Sequence, residues 1–174
     1  MLEAALIDLR LGEISIVAGE AEAIFGRTFP HPPQTVWAML TKPNLLAQWL
    51  APGEIELFLG GHVHLDFGDS GIVIYSQVSA YSPGRLLEYS WSGSGATLRP
   101  LRWEIATAEG GSHLSLTLVM PANEDIARSC AGWEAHLEML AAALEGVPMR
   151  FPFDHFKAAR EGYKSKLAEM EAQA

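Results

Sequence analysis

The residues in this chain best suited to chemistry are rings: Trp49, Phe67, Tyr75, Tyr89, Trp91, Trp103 and Trp133. Aromatic side chains bury large areas, and Trp N–H and Tyr O–H groups need a partner once buried. Several of them facing one interior would make an apolar pocket with a few polar handles. The same rings can instead form a solid core, and the pattern leaves both readings open. Leu116, Leu137 and Leu140 are the apolar residues expected to complete such a lining. His136 lies one turn beyond Trp133 on the flank of an apolar stripe, where it could point a ring nitrogen into a cavity as a general acid or base. A solvent-edge histidine is the plainer reading, and nothing near it in sequence supplies a nucleophile. Tyr89 is the second candidate for an acid or base at a cavity wall.

Other reactive side chains have simpler explanations. His62 and His64 alternate and therefore share a strand face, opposite Leu65 and Phe67, but no third metal ligand can be named for them. Cys130 is the single cysteine, which excludes an internal disulfide and a multi-cysteine zinc site, and it falls on an apolar stripe as a small core residue would. Asp66, Glu88, Arg102 and Glu104 lie opposite the apolar faces of their strands and read as solvated cross-strand pairs. There is no Ser-His-Asp ordering and no phosphate-cradling loop; Gly60-Gly61 and Gly93-Ser94-Gly95 read as hairpin turns. No metal and no cofactor is expected.

The elements that must position the rings follow from periodicity. Ile126, Cys130, Trp133, Leu137, Leu140 and Leu144 recur in steps of four and three, the repeat of a helix with one buried face, predicted over residues 123–146. Asn123 is its expected N-cap, Glu124 and Asp125 put negative charge in the first turn, and Gly146 with Pro148 ends it. Upstream the period is two. A short strand is expected at 13–17 and a firm one at 20–29, where Ala23, Phe25, Arg27 and Phe29 share a face. Pro32-Pro33 opens a short helix over 34–40, and Thr41 is expected to cap a second one carrying Leu46, Trp49 and Leu50. A meander follows: 54–59, 62–67, 72–78 (apolar on both faces, as in a central strand), 86–91, 101–105 and 113–120. Leu2, Leu6 and Leu9 could form one helical face before all of this. After Pro148, Asp154 is the expected N-cap of a last helix whose Phe156, Tyr163, Leu167 and Met170 share a face. That tail either docks on the domain or packs against a second copy.

Composition narrows the partners. Twelve Lys and Arg against twenty-one Asp and Glu leave a formal charge of −9 without a basic cluster, which disfavours nucleic acid and anionic membranes. With 49% hydrophobic and 19% charged residues the 174-residue chain reads as one globular domain. The longest apolar runs fall far short of the roughly 20 residues of a membrane span, and no basic region precedes the first apolar residues. A cytoplasmic protein is expected.

Several local signatures coincide in order. Phe25-Gly26-Arg27-Thr28-Phe29 precedes His31-Pro32-Pro33-Gln34-Thr35-Val36-Trp37, then come Leu40-Thr41-Lys42-Pro43, Trp49-Leu50-Ala51-Pro52, Gly60-Gly61 and Gly71-Ile72-Val73, and later Leu87-Glu88-Tyr89-Ser90-Trp91 and Ala131-Gly132-Trp133-Glu134-Ala135-His136-Leu137. Residues 20–146 thereby resemble the family named for homology to the activator of the heat-shock-protein-ninety ATPase, within the START and polyketide-cyclase (SRPBCC) superfamily. The resemblance implies an α+β helix-grip fold: a curved antiparallel sheet, here of about seven strands, around a long C-terminal helix, with two short helices after the first strand. It also implies an apolar cavity between sheet and helix, which superfamily members use for purposes from lipid and hormone binding to polyketide cyclisation. The eponymous co-chaperone carries a second domain ahead of this one, whereas about twenty residues precede the first firm strand here, so chaperone activation is not carried over.

The expected organisation is an N-terminal extension (1–19), the helix-grip domain (20–146) and a helical tail (147–174). The leading functional expectation is binding of a small apolar or aromatic molecule between sheet and helix. An enzyme of cyclase, aromatase or hydrolase type in the same cavity is a second reading, and a protein-interaction or co-chaperone-like role, with the tail as contact and a homodimer as one outcome, is a third.

Overall fold

The structure is a computed structural model that describes residues 9–174; the positions of Leu2 and Leu6, read above as part of a helical face, lie outside the described residues. Eight antiparallel strands form one curved sheet in the order β1-β2-β8-β7-β6-β5-β4-β3. They are β1 (Glu13–Val17), β2 (Glu20–Phe29), β3 (Gly53–Ile55), β4 (His62–Asp66), β5 (Val73–Ser82), β6 (Leu86–Ser90), β7 (Pro100–Ala108) and β8 (Gly111–Pro121). Two short helices, α1 (Pro33–Thr41) and α2 (Pro43–Trp49), follow β2, and α3 (Ile126–Leu144) and α4 (Phe153–Ala172) follow β8.

Alternation decides which face of the sheet is dry. Along β2 every second residue, Ala21, Ala23, Phe25, Arg27 and Phe29, is buried and the others are exposed. The buried rows continue through Leu114, Leu116, Leu118 and Met120 of β8 and Leu101, Trp103 and Ile105 of β7. Against this inner face lies α3, whose Ile126, Cys130, Trp133, Leu137, Leu140 and Leu144 are all buried. The stripe read from the sequence is thus the seam of the core. At the C-terminal end of α3, Gly146 has φ 78°. Its N–H donates to Ala143 O at 3.0 Å and Val147 N–H to Ala142 O at 3.0 Å, the paired bonds of a left-handed helix stop.

The local expectations that differ do so for identifiable reasons. Asn123 does not cap α3. Asp125 does, its side chain accepting from Arg128 N–H at 3.1 Å, because Glu124 N–H bonds back to Pro121 O and the helix starts only at Ile126. Thr41 does not cap α2: it ends α1, with Oγ1 donating to Trp37 O at 2.8 Å, and Lys42 occupies the cap position. Asp154 lies in the first turn of α4 rather than at its cap, which is Pro152. The expected strand at 54–59 stops at Ile55. There the chain leaves the strand for a turn, Gly61 N–H donating to Phe58 O and Gly60 N–H to Val78 O, and Phe58 and Leu59 are left exposed. Only glycine fits at 61, since a Cβ there would meet Glu56 O at 2.2 Å. Finally, β5 is covered on one face only: Ile74 and Val78 are buried, whereas Val73 and Tyr75, on the opposite face, are exposed.

The tail docks on its own domain. α4 packs along α3, with Ala159 and Tyr163 buried and Phe156, Leu167 and Met170 half-buried. The Tyr163 hydroxyl accepts from Gly12 N–H at 2.6 Å and donates to Glu134. Residues 13–17 of the segment read as an extension belong to the sheet, because β1 pairs with β2 from Glu13↔Ile24 to Val17↔Glu20.

Candidate binding cleft

Ring packing divides the expected site residues into two groups. Trp49, Tyr89, Trp103, Leu116, Leu137 and Leu140 are at most 2% exposed and lie in the packed interior. Trp49 Nε1–H donates to Met39 O at 2.8 Å and its ring meets Trp103 edge-on at 5.9 Å, so this pair is a fastener of the short helices to the sheet. The Tyr89 hydroxyl is buried and makes no well-formed hydrogen bond among the described residues; desolvation pushes it up to about 12, the neighbouring Trp103 side chain opposing the shift. It does not stand at a cavity wall.

Tyr75 was expected to face the interior and does not. It is 47% exposed on the outer face of β5, between the rings of His62 and His64 at 6.1 and 6.0 Å. The reason is the register: Tyr75 pairs with His64, and the polar alternation of β4 puts both outside. Among the described residues no group of three His, Cys, Asp or Glu side chains is placed to hold a metal ion.

Phe67, Trp91, Trp133 and His136 converge on an open cleft of about 840 Å³. It lies between the first half of α3 and the end of β8, represented by Leu118 and Met120, and is continued by Phe151, Phe153 and Phe156. The rings touch in sequence. Trp133 meets Trp103 at 5.7 Å behind and Trp91 at 4.8 Å in front, Trp91 meets Phe67 at 5.8 Å, and His136 packs against Phe67, Trp133 and Phe151 at 5.7 to 6.1 Å. An unbroken row of edge-on contacts therefore runs from the core to the cleft.

The three phenylalanines were visible in the sequence as a cluster after Pro148 but were not assigned to the site. Phe151 contacts Phe153 at 5.0 Å and Phe156 at 5.6 Å. Three large apolar residues within six positions, just after a helix stop and ahead of a largely charged helix, were the available signal.

Polar groups ring the cleft mouth. Arg99 is held by Glu124, with Nε at 3.1 and 3.2 Å from its two oxygens, and Asp125 both caps α3 and pairs with Arg160 at 3.1 Å. Deeper in, His136 Nδ1 lies 3.1 Å from Trp49 O, and burial lowers the imidazole's pKa from its ordinary 6.5. A wide, aromatic-walled cleft with one imidazole among its rings can hold a flat or elongated apolar body. Among the described residues no hydroxyl or thiol hydrogen-bonds to that imidazole.

A curved antiparallel sheet closed by a late amphipathic helix, with the short helix pair after the first long strand, defines an α+β protein of the helix-grip class. Residues 30–145 match the family described as Activator of Hsp90 ATPase homolog 1-like protein, and the chain belongs to that family. Among solved structures the chain resembles CalU16 from Micromonospora echinospora (21% identity, 88% of this chain and 96% of that one, TM-score 0.72). It also resembles EF2215, a conserved protein of unknown function from Enterococcus faecalis (20% identity, 91% of each chain, TM-score 0.74). A further match is DynU16, described as a protein of the dynemicin biosynthetic locus (26% identity, 75% of this chain and 49% of that one, TM-score 0.68). No curated protein matches the chain by sequence. Among the described residues no helix is long and apolar enough to cross a membrane.

Proposed function

We propose that the protein binds a small apolar or aromatic molecule in the cleft beside α3, at the open end of the sheet–helix interface rather than deep within it. The observation that carries this reading is the convergence of Phe67, Trp91, Trp133 and Phe151 around His136 on a cleft of about 840 Å³, within the usual size range of small-molecule sites. Membership of the family and the place of one structural relative in a biosynthetic locus favour a small metabolite over a macromolecule as the ligand. The acidic net charge and the absence of a basic cluster fit that choice, and the reading places the binding event in the cytoplasm.

The test is a thermal-shift and tryptophan-fluorescence screen with fatty acids and naphthalene derivatives, with native mass spectrometry of the purified protein for copurifying molecules. Ligand at a hundred times its Kd should add about 2.7 kcal/mol of stability. Indole emission should change as well, because Trp91 and Trp133 line the cleft. No shift across the panel and no bound mass would overturn the reading.

A further inference from the structure

We infer that the cleft selects aromatic molecules bearing a hydroxyl or other hydrogen-bond donor, and that His136 Nε2 is the acceptor that recognises it. This rests on the cleft being the binding site. The carbonyl oxygen of Trp49 lies 3.1 Å from His136 Nδ1. A carbonyl only accepts, so Nδ1 must carry the hydrogen, and the other nitrogen of a neutral imidazole is then a bare lone pair. Among the described residues Nε2 has no hydrogen-bond partner, although His136 lines the cleft. Burial works in the same direction, since desolvation holds the ring neutral.

The surroundings of this acceptor explain why a donor on a ring would satisfy it. Phe67, Trp133 and Phe151 enclose the imidazole, and among the described residues none of them, the Trp133 indole N–H included, hydrogen-bonds to it. The ionised groups of the mouth are otherwise engaged: Arg99 with Glu124, and Asp125 with the α3 backbone and Arg160. Arg128 is exposed at the outer rim, where water competes for it. A phenol-like ligand would lay its apolar body on the rings and donate its hydroxyl hydrogen to Nε2. An ether of the same shape would leave that lone pair dry and unmatched.

The experiment compares 2-naphthol with 2-methoxynaphthalene by titration of tryptophan fluorescence, in the full-length protein and in His136→Phe, which keeps a ring in the cluster and removes the acceptor. The naphthol should bind the unaltered protein roughly tenfold more tightly, and His136→Phe should erase that preference while retaining the ether. Equal affinity of the unaltered protein for the two would overturn the donor rule and leave the cleft reading standing; binding of neither would remove both. Should His136→Phe fail to fold, the imidazole nitrogen resonances of the ¹⁵N-histidine-labelled protein decide the matter. Nδ1 should be protonated, and the Nε2 resonance should move on addition of 2-naphthol; a protonated Nε2, or one that stays still while the naphthol binds, would refute the assignment.

Discussion

Arg27 and Glu134 meet inside the protein, the guanidinium of β2 donating to the carboxylate of α3 with exposures of 7% and 0%. Tyr163 of α4 donates to the other carboxylate oxygen and accepts from Gly12 N–H ahead of β1. One carboxylate therefore ties together the sheet, the long helix and the tail. Removing one member of such a buried set strands the others without water. Arg27→Met, which leaves Glu134 without its cation, should cost about 3 to 5 kcal/mol in urea unfolding. Tyr163→Phe should cost about 1.5 to 3 kcal/mol, the range for a hydrogen bond to a charged group. The double variant Arg27→Met/Glu134→Leu should recover part of the loss of the single one, since an apolar pair of similar volume needs no desolvation of charge, while the Tyr163 hydroxyl, left without its acceptor, keeps the remainder. A double variant less stable than Arg27→Met by the full cost of Tyr163→Phe would mean that the ion pair itself, rather than the stranded carboxylate, carries the energy.

The lowered pKa of His136 makes stability depend on pH in a defined direction. In the unfolded chain this histidine takes up a proton near its ordinary value of 6.5, whereas in the folded protein burial delays protonation to lower pH. Between those two values the unfolded state binds more protons, so stability is full above about pH 6.5 and declines as the pH falls toward the folded value, below which the loss levels off. His136→Gln should flatten this contribution. Urea unfolding of the two proteins at pH 7.5 and 5.0 should show a smaller acid loss for the variant, and an equal loss would locate the pH dependence elsewhere.

Much of this architecture could be read from spacing. The α3 stripe, the β2 alternation and the paired short helices each depend on a local period that burial then obeyed. Arg27 was legible only as an oddity, a charge on an otherwise apolar face, because its partner lies 107 positions away. The cleft was harder. Trp103 and Trp133 look alike in sequence, yet one is sealed behind the other, and which ring reaches the surface depends on where the sheet and α3 diverge. Tyr75 failed as an interior residue because the run around it is apolar on both faces, and nothing local says that one of those faces stays open. Nothing in the sequence assigns Phe151, Phe153 and Phe156 to the cleft, because that role depends on how α4 folds back along α3.

Cys130 gives a direct view of how the α3 seam opens. Its thiol is fully buried and pushed up to about 12 by desolvation, with the nearby Glu134 charge adding to the effect. At pH 8 an ordinary exposed thiol is partly thiolate and reacts readily with disulfide reagents. Cys130 should be protected in the native protein and should react at a rate set by opening of the domain, rising with urea with the slope of global unfolding. Fast labelling without denaturant would show that α3 separates locally from the sheet, and with it that the core end of the cleft is not fixed.

Phe151 separates the wall of the cleft from the stability of the fold. It is half-buried and contacts His136 at 5.7 Å and Phe156 at 5.6 Å, so Phe151→Ala removes one side of the cleft with partial loss of packing. A fully buried phenylalanine truncated to alanine loses about 3 to 5 kcal/mol, and a half-exposed one should lose about half of that. Affinity for 2-methoxynaphthalene, measured by fluorescence titration at a temperature where the variant is fully folded, should fall three- to tenfold, the worth of about one aromatic contact. Phe58→Ala serves as the control: that ring is 54% exposed in the loop before β4 and away from the cleft, so neither stability nor affinity should move appreciably. An affinity that survives Phe151→Ala unchanged would place the bound molecule away from the α3–α4 connection and overturn the assignment of Phe151 to the wall of the site.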